Sequence, residues 1–307
     1  MARSHGPLTV GRLGRLGLVA LVGLAGALAL GACSDGRLPS TTPTFGRPST
    51  TTPPPGGASG FVAFGDFGGG PKQYDVARAM SRWAEAGHRV DALVTTGDNV
   101  YPRGEPELFD AHLRRPYADL TADRPLWATL GNHDIASERG SDQLAYLGLP
   151  ELPYARSLPG VEILLLDANR PDAAQAAWLD ERLRAPGPRF RVVVFHQPAF
   201  SCGPHGPTAG VVREWVPVLE AHRVALVLQG HDHLYERFVS DGGVTYVVTG
   251  GGGRDLYRSS ERCDLAAERR AAARRHHFVA VEVDGGTMYV TAVADDGSVV
   301  DETTVRR

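Results

Sequence analysis

Five short apolar runs, each ending in residues that can bind a cation, constrain this chain more than any other feature. Phe61-Val62-Ala63-Phe64 precedes Gly65-Asp66, and Ala92-Leu93-Val94-Thr95-Thr96 precedes Gly97-Asp98. Leu126-Trp127-Ala128-Thr129-Leu130 precedes Gly131-Asn132-His133-Asp134. Val192-Val193-Val194-Phe195 precedes His196, and Val224-Ala225-Leu226-Val227-Leu228 precedes Gly230-His231-Asp232-His233. Runs this short and this rich in Val, Leu and aromatics read as strands buried on both faces. One such ending means little, because Asp after Gly is commonly a turn residue and a single His is commonly a satisfied core group. Five in order point to a site, since open α/β sheets place ligands at the carboxyl ends of their strands.

Between the runs the apolar spacing changes to a helical period. Residues 74–86 and 175–183 are predicted helices, and 213–222 a third, short or kinked at Pro217. From Val244 onward strands are predicted at 244–249, 278–283, 287–293 and 299–305. Asp284-Gly285-Gly286 and Asp295-Asp296-Gly297 serve as hairpin turns. Residues 254–277 are charged and Arg-rich and are expected as a surface excursion, helical from 265 to 275. The predicted fold class is α/β: two packed mixed β-sheets flanked by helices, formed by residues 60–307.

The first 59 residues do not fit that pattern. Arg3, Arg12 and Arg15 precede an uncharged stretch, residues 16–33, rich in Leu, Val, Ala and Gly. A basic start, an apolar stretch and small residues at its end make a secretory signal. The ending Leu30-Gly31-Ala32-Cys33 resembles the lipobox of bacterial lipoproteins. Residues 1–32 are therefore expected to be cleaved and Cys33 lipidated. An uncleaved anchor would want about 20 apolar residues. Loss of three Arg would move the net charge from −3 to −6. Residues 34–59 are mostly Ser, Thr, Pro and Gly, too polar to offset the entropy of ordering, and read as a tether between anchor and domain. The expected location is extracytoplasmic, on the outer face of the bacterial cytoplasmic membrane. With Cys33 assigned to lipid, Cys202 and Cys263 remain, and that compartment permits them to pair as a disulfide. A net charge of −3 gives no electrostatic case for nucleic acid, and no protein partner is evident.

The motifs resemble those of the calcineurin-like metallophosphoesterases, and within them the small purple acid phosphatases of the tartrate-resistant type. The stretches that carry the likeness are Gly65-Asp66-Phe67-Gly68, Gly97-Asp98-Asn99-Val100-Tyr101, Gly131-Asn132-His133-Asp134, Val194-Phe195-His196-Gln197-Pro198 and Gly230-His231-Asp232-His233. Gln175-Ala176-Ala177-Trp178-Leu179 and His205-Gly206-Pro207-Thr208 are similar as well. Most metallophosphoesterases carry His two residues after the first Asp; Gly68 stands there in this chain, and Tyr101 can take its place. A phenol with an ordinary pKa near 10 ionises at acid pH only on a strong Lewis acid, and its hard anionic oxygen suits Fe(III).

Carried over by position, the resemblance implies one ion on Asp66, Tyr101, His233 and a bridging Asp98. It implies a second, divalent iron, zinc or manganese, on Asp98, Asn132, His196 and His231. Two such ions would favour attack of metal-activated hydroxide on a phosphomonoester. His133 and His205 match the family's two substrate-facing histidines, with phosphate-contact and general-acid roles. Asp134 is expected to orient a ligand rather than to be one. The residues before His205, Cys202-Gly203-Pro204, depart from the family pattern. The expected function is an extracytoplasmic acid phosphatase; a phosphodiesterase of the same superfamily and a non-catalytic surface binding lipoprotein are the alternatives.

Overall fold

A computed structural model of the chain describes residues 59–307. The expected leader, Cys33 and all but the last residue of the expected tether lie outside the described residues. In chain order the strands are β1 (Ser59–Phe64), β2 (Ala92–Thr95), β3 (Leu126–Ala128), β4 (Tyr154–Leu158), β5 (Val161–Leu165), β6 (Phe190–Val194) and β7 (Leu226–Gln229). They continue with β8 (Tyr235–Ser240), β9 (Thr245–Thr249), β10 (Ala267–Ala273), β11 (His277–Asp284), β12 (Thr287–Ala294) and β13 (Val299–Arg306).

Two mixed sheets result. The first runs β13-β12-β11-β1-β2-β3 and the second β10-β8-β9-β7-β6-β5-β4. Strands β1, β2 and β3 are parallel, as are β5, β6, β7 and β9. Hairpin partners complete the edges: β12 pairs antiparallel with both β11 and β13, and β4 pairs antiparallel with β5.

Alternation along each strand assigns its two faces. Phe61 and Ala63 of β1 join Val94, Ile163, Val192, Leu228, Val281 and Val290 in the core between the sheets. Val62 and Phe64 point the other way, onto Val76, Met80 and Trp83 of the helix Gln73–Glu85. On the far side of the second sheet, Val193, Phe195 and Val227 pack on Leu179, Val211, Trp215 and Leu219 from three helices. The order of layers is helix, sheet, sheet, helix, which is why the five sequence runs are apolar on both faces. This confirms the predicted architecture.

Local departures have local causes. The expected helix at 213–222 is two short helices, Ala209–Glu214 and Val216–Ala221, with Pro217 in the first turn of the second, where its missing N–H costs nothing. The expected helix at 265–275 is instead the edge strand β10. Its Ala, Arg and Glu favour helix weakly, but antiparallel pairing with β8 decides, and burial alternates residue by residue. Strands β4, β5 and β8 were not anticipated.

Candidate metal centre

The strand ends from both sheets meet at one place. Strands β1, β2 and β3 deliver Asp66, Asp98 and Asn132 from the first sheet; β6 and β7 deliver His196, His231 and His233 from the second. Three of these residues, Asp66 (φ 58°), Asp98 (φ 51°) and His231 (φ 72°), sit in the left-handed region that side chains seldom occupy. Backbone strain of this kind persists where the surrounding structure fixes it, and it gathers at functional sites.

The seven candidate donors form two groups sharing Asp98. On one side Tyr101 Oη donates to Asp98 Oδ2 (2.8 Å) and lies 3.1 Å from His233 Nε2, which is 3.5 Å from Asp66 Oδ1. On the other, His196 Nε2 lies 3.2 Å from Asn132 Oδ1, 3.3 Å from His231 Nδ1 and 3.4 Å from Asp98 Oδ2. Donors held about 2.0–2.2 Å from one ion stand roughly 2.8–3.6 Å from each other, from octahedral to tetrahedral angles, so these separations suit two ions with one carboxylate between them. The types fit too: carboxylates, a phenol, an amide oxygen and imidazoles suit iron, zinc and manganese. Asp98, His196 and His231 alone already form a compact three-donor group.

Outer hydrogen bonds fix the imidazoles. His196 Nδ1 donates to the Thr96 carbonyl (2.9 Å) and His233 Nδ1 to the Asp255 carbonyl (2.9 Å), which turns Nε2 of each toward the centre. Asp66 accepts the His231 backbone N–H, and Asp98 Oδ1 accepts that of His133 (2.9 Å). Asp134 was expected to orient a ligand; its bonds go instead to the loops that carry the candidate ligands. Its buried carboxylate accepts N–H bonds from Gly131, Asn99 and Val100 and side-chain bonds from Asn99 and Gln143, so it pins the β2 and β3 loops together without touching a donor atom.

Burial and crowding set the electrostatics of the candidate donors. Burial pushes the Asp66 carboxyl up, and burial followed by the charges of Asp66 and Asp98 pushes the Tyr101 phenol up. Burial opposes charge on His196, yet the Asp98 and Asp66 carboxylates beside it bring it up to about 9. Burial takes His231 down to about 3 and His233 down to about 4. A bound cation would favour the ionised carboxylates and phenolate and would take the place of the proton on His196.

His133 and His205 stand at the edge of the donor set. The His133 ring lies 4.2 Å from the Tyr101 ring, with Nδ1 bonded to the Pro102 carbonyl (2.7 Å). The exposed His205 ring lies 4.1 Å from His231. Asp232, between the candidate donors His231 and His233, accepts the His205 backbone N–H (3.1 Å) and the Ser201 hydroxyl (2.5 Å).

Cys202 and Cys263 are joined as expected, with Cα atoms 5.7 Å apart. Beside them buried Glu236 accepts from Cys202 N (2.8 Å), Ser259 Oγ (2.5 Å) and Arg269 Nη1 (3.1 Å). The His205 loop is thereby tied to residues 259–263. The sequence reading missed Glu236, Arg269, Arg254 and Tyr257, whose ring stacks on His233 at 4.1 Å. All four come from stretches with no motif; the four glycines before Arg254 mark a close backbone approach but not what the next side chain does.

The sequence signature of calcineurin-like phosphoesterases matches residues 60–235. The chain belongs to that family. Rat tartrate-resistant acid phosphatase type 5 is 31% identical over 235 residues, covering 62% of this chain and 72% of the rat protein. This phosphoesterase is thus homologous to acid phosphatases, which are phosphoric monoester hydrolases. Its fold is shared with purple acid phosphatase PPD1 from yellow lupin seeds (TM-score 0.70, 16% identity, 81% of this chain and 54% of that one). It is shared also with GAP50, described as the anchor in the inner membrane complex of Plasmodium (TM-score 0.70, 18% identity, 82% and 89%).

Proposed function

We propose that this phosphoesterase is a binuclear-metal acid phosphatase that hydrolyses phosphomonoesters outside the cytoplasmic membrane, held there by a lipidated Cys33. The observation that carries the catalytic reading is the position of Asp98, whose one carboxylate faces both halves of the donor set. Asp66, Tyr101, His233 and Asp98 would hold Fe(III), and Asp98, Asn132, His196 and His231 would hold Fe(II), Zn or Mn. When bound, such a pair supplies positive charge to the phosphoryl oxygens and acidifies a water.

The chain's own groups do the rest. By accepting Nδ1–H, the Thr96 and Asp255 carbonyls would leave Nε2 of His196 and His233 as the atom that gives up its proton to an ion. The Pro102 carbonyl holds Nδ1–H of His133, so Nε2 is the atom left for a phosphoryl oxygen. His205 makes no ring hydrogen bond among the described residues and stands against His231, in place to hand a proton to the leaving alkoxide. The pairing of Gly68 with Tyr101 favours the monoesterase over a phosphodiesterase. A non-catalytic surface lipoprotein has a parallel in the anchor role named for GAP50, but a binding module has no need of seven convergent donors.

The test combines metal analysis with paired assays. Two ions per chain, a purple colour, and faster hydrolysis of 4-nitrophenyl phosphate than of its diester are expected. Asp98→Asn should abolish turnover with an unchanged far-UV spectrum. A preference for the diester would make it a phosphodiesterase; a colourless protein inert after iron reconstitution would leave the binding module. Cys33→Ser should move the protein from the membrane fraction to the soluble one, and its staying would refute the anchor.

A further inference from the structure

The run Gly250-Gly251-Gly252-Gly253-Arg254 leaves β9 and lies along the end of β1. Gly65 N donates to Thr249 O (3.0 Å), Gly252 N to Gly65 O (2.9 Å), Arg254 N to Asp66 O (3.0 Å) and Lys72 N to Gly253 O (3.1 Å). None of the four glycines has room for a side chain. A Cβ at Gly250 would strike the Asp232 carbonyl, at Gly251 the His277 ring, and at Gly252 the Gly65 carbonyl; at Gly253 it would come within 2.8 Å of Gln73 Cα. Packing to backbone contact fixes where the next side chain, Arg254, emerges.

That place is the edge of the metal centre. The Arg254 guanidinium carbon lies 4.4 Å from the centroid of the Tyr101 ring, the ring that His133 also contacts. The guanidinium makes no hydrogen bond and no ion pair among the described residues, so its five donors are unmatched. A cation resting on an aromatic face gains only a little where water reaches it. The ligand that fits a planar fork of N–H groups is an oxyanion, above all a phosphoryl group.

We propose that Arg254 is a substrate-contacting residue, its guanidinium binding a phosphoryl oxygen of the substrate beside Tyr101. This rests on reading the site as a phosphoesterase centre. The experiment uses metal-replete wild type, Arg254→Gln and Arg254→Lys. It measures kcat, KM for 4-nitrophenyl phosphate, the inhibition constant of orthophosphate, calorimetric orthophosphate binding and metal content. For Arg254→Gln, both KM and the orthophosphate constants should rise about tenfold, with kcat changed much less and both ions retained, since charged hydrogen bonds are the stronger class. Arg254→Lys should fall between, restoring charge without the fork. An active Arg254→Gln enzyme with both constants within about twofold of wild type overturns the proposal. Loss of metal in that variant also overturns it, making Arg254 a prop for Tyr101. Should wild type bind orthophosphate but hydrolyse nothing, weakened binding in Arg254→Gln still supports the contact while the hydrolytic reading fails.

Discussion

A Cβ on Gly68 would lie 2.6 Å from the Asn99 carbonyl carbon and 2.7 Å from Val100 Cα. The position where related enzymes carry a histidine is therefore closed by the backbone of the loop that brings in Tyr101. Gly68→Ala must push that loop, and overpacking of this kind costs about 1–3 kcal/mol. We expect a lower melting temperature together with weakened tyrosinate absorbance in the iron-loaded protein, and the same, more strongly, for Gly68→His. Wild-type stability and spectrum in Gly68→Ala would show that the loop yields freely.

Tyr101→Phe separates ligation from packing. The ring would still meet His133 and Arg254, so the fold should persist, while the one phenol in the donor set disappears. Loss of a group that merely orients a ligand costs 10–100-fold, so loss of a ligand should lower turnover by about 100-fold or more. The purple colour should vanish and iron should be lost at equilibrium dialysis. A coloured Tyr101→Phe protein would move the phenolate to another tyrosine.

The legible part of this molecule is the part where chemistry and periodicity coincide. Each of β1, β2, β3, β6 and β7 is a short apolar run followed by its donor, so strand and site were visible together. Strands β4, β5 and β8 carry no donor: β8 is Tyr-Glu-Arg-Phe-Val-Ser, whose Glu236 is buried against Arg269, and polar residues there hide the strand. Strand β10 is composed of helix-favouring residues and is a strand only because β8 offers it an edge. Arg254 belongs to the same class. Its role depends on the path of four glycines past β1, which no local pattern encodes.

Glu236 offers a stability test at a distance from the donors. Its side chain is fully buried and joins the Cys202 backbone, Ser259 and Arg269. Arg269 keeps Ser259, Ser260 and Glu261 as acceptors, so removing Glu236 mainly strands the Cys202 N–H and the Ser259 hydroxyl, at about 1–3 kcal/mol. Glu236→Ala should lose that much in urea unfolding. Full stability in Glu236→Ala would mean that water replaces the carboxylate.

The Cys202–Cys263 bond spans 61 residues of sequence, for which the chain-entropy relation gives roughly 4 kcal/mol. It also ties the loop carrying His205 to the segment after Tyr257, and Ser260 N adds a bond to the Cys202 carbonyl (2.8 Å). None of the seven donors lies on the loop between Cys202 and His205. Reduction should therefore lower turnover more than metal content. Full turnover in protein whose thiols are proven free by alkylation would show that the loop keeps its place without the bond.

His277 gives the fold a slope on the acid side. Burial pushes its pKa down to about 4 despite the hydrogen bond its Nδ1 makes to the Arg275 carbonyl, whereas an unfolded histidine has a value near 6.5. The unfolded chain thus takes up a proton first as pH falls. The contribution of the neutral ring is complete above about pH 6.5 and is lost as pH drops from there to about 4, a difference of roughly 3 kcal/mol. Its Nε2 meets Thr249 Oγ1 (3.1 Å) and its backbone N–H the Gly251 carbonyl (2.9 Å), so the ring backs the glycine run that places Arg254. His277→Gln should be less stable at pH 7 by about 1–2 kcal/mol for the bonds it reshapes, yet flatter in pH, so that the stabilities of the two metal-loaded proteins from urea unfolding converge below pH 6.5 and cross before pH 4. Parallel curves across that interval would assign the acid slope to other groups.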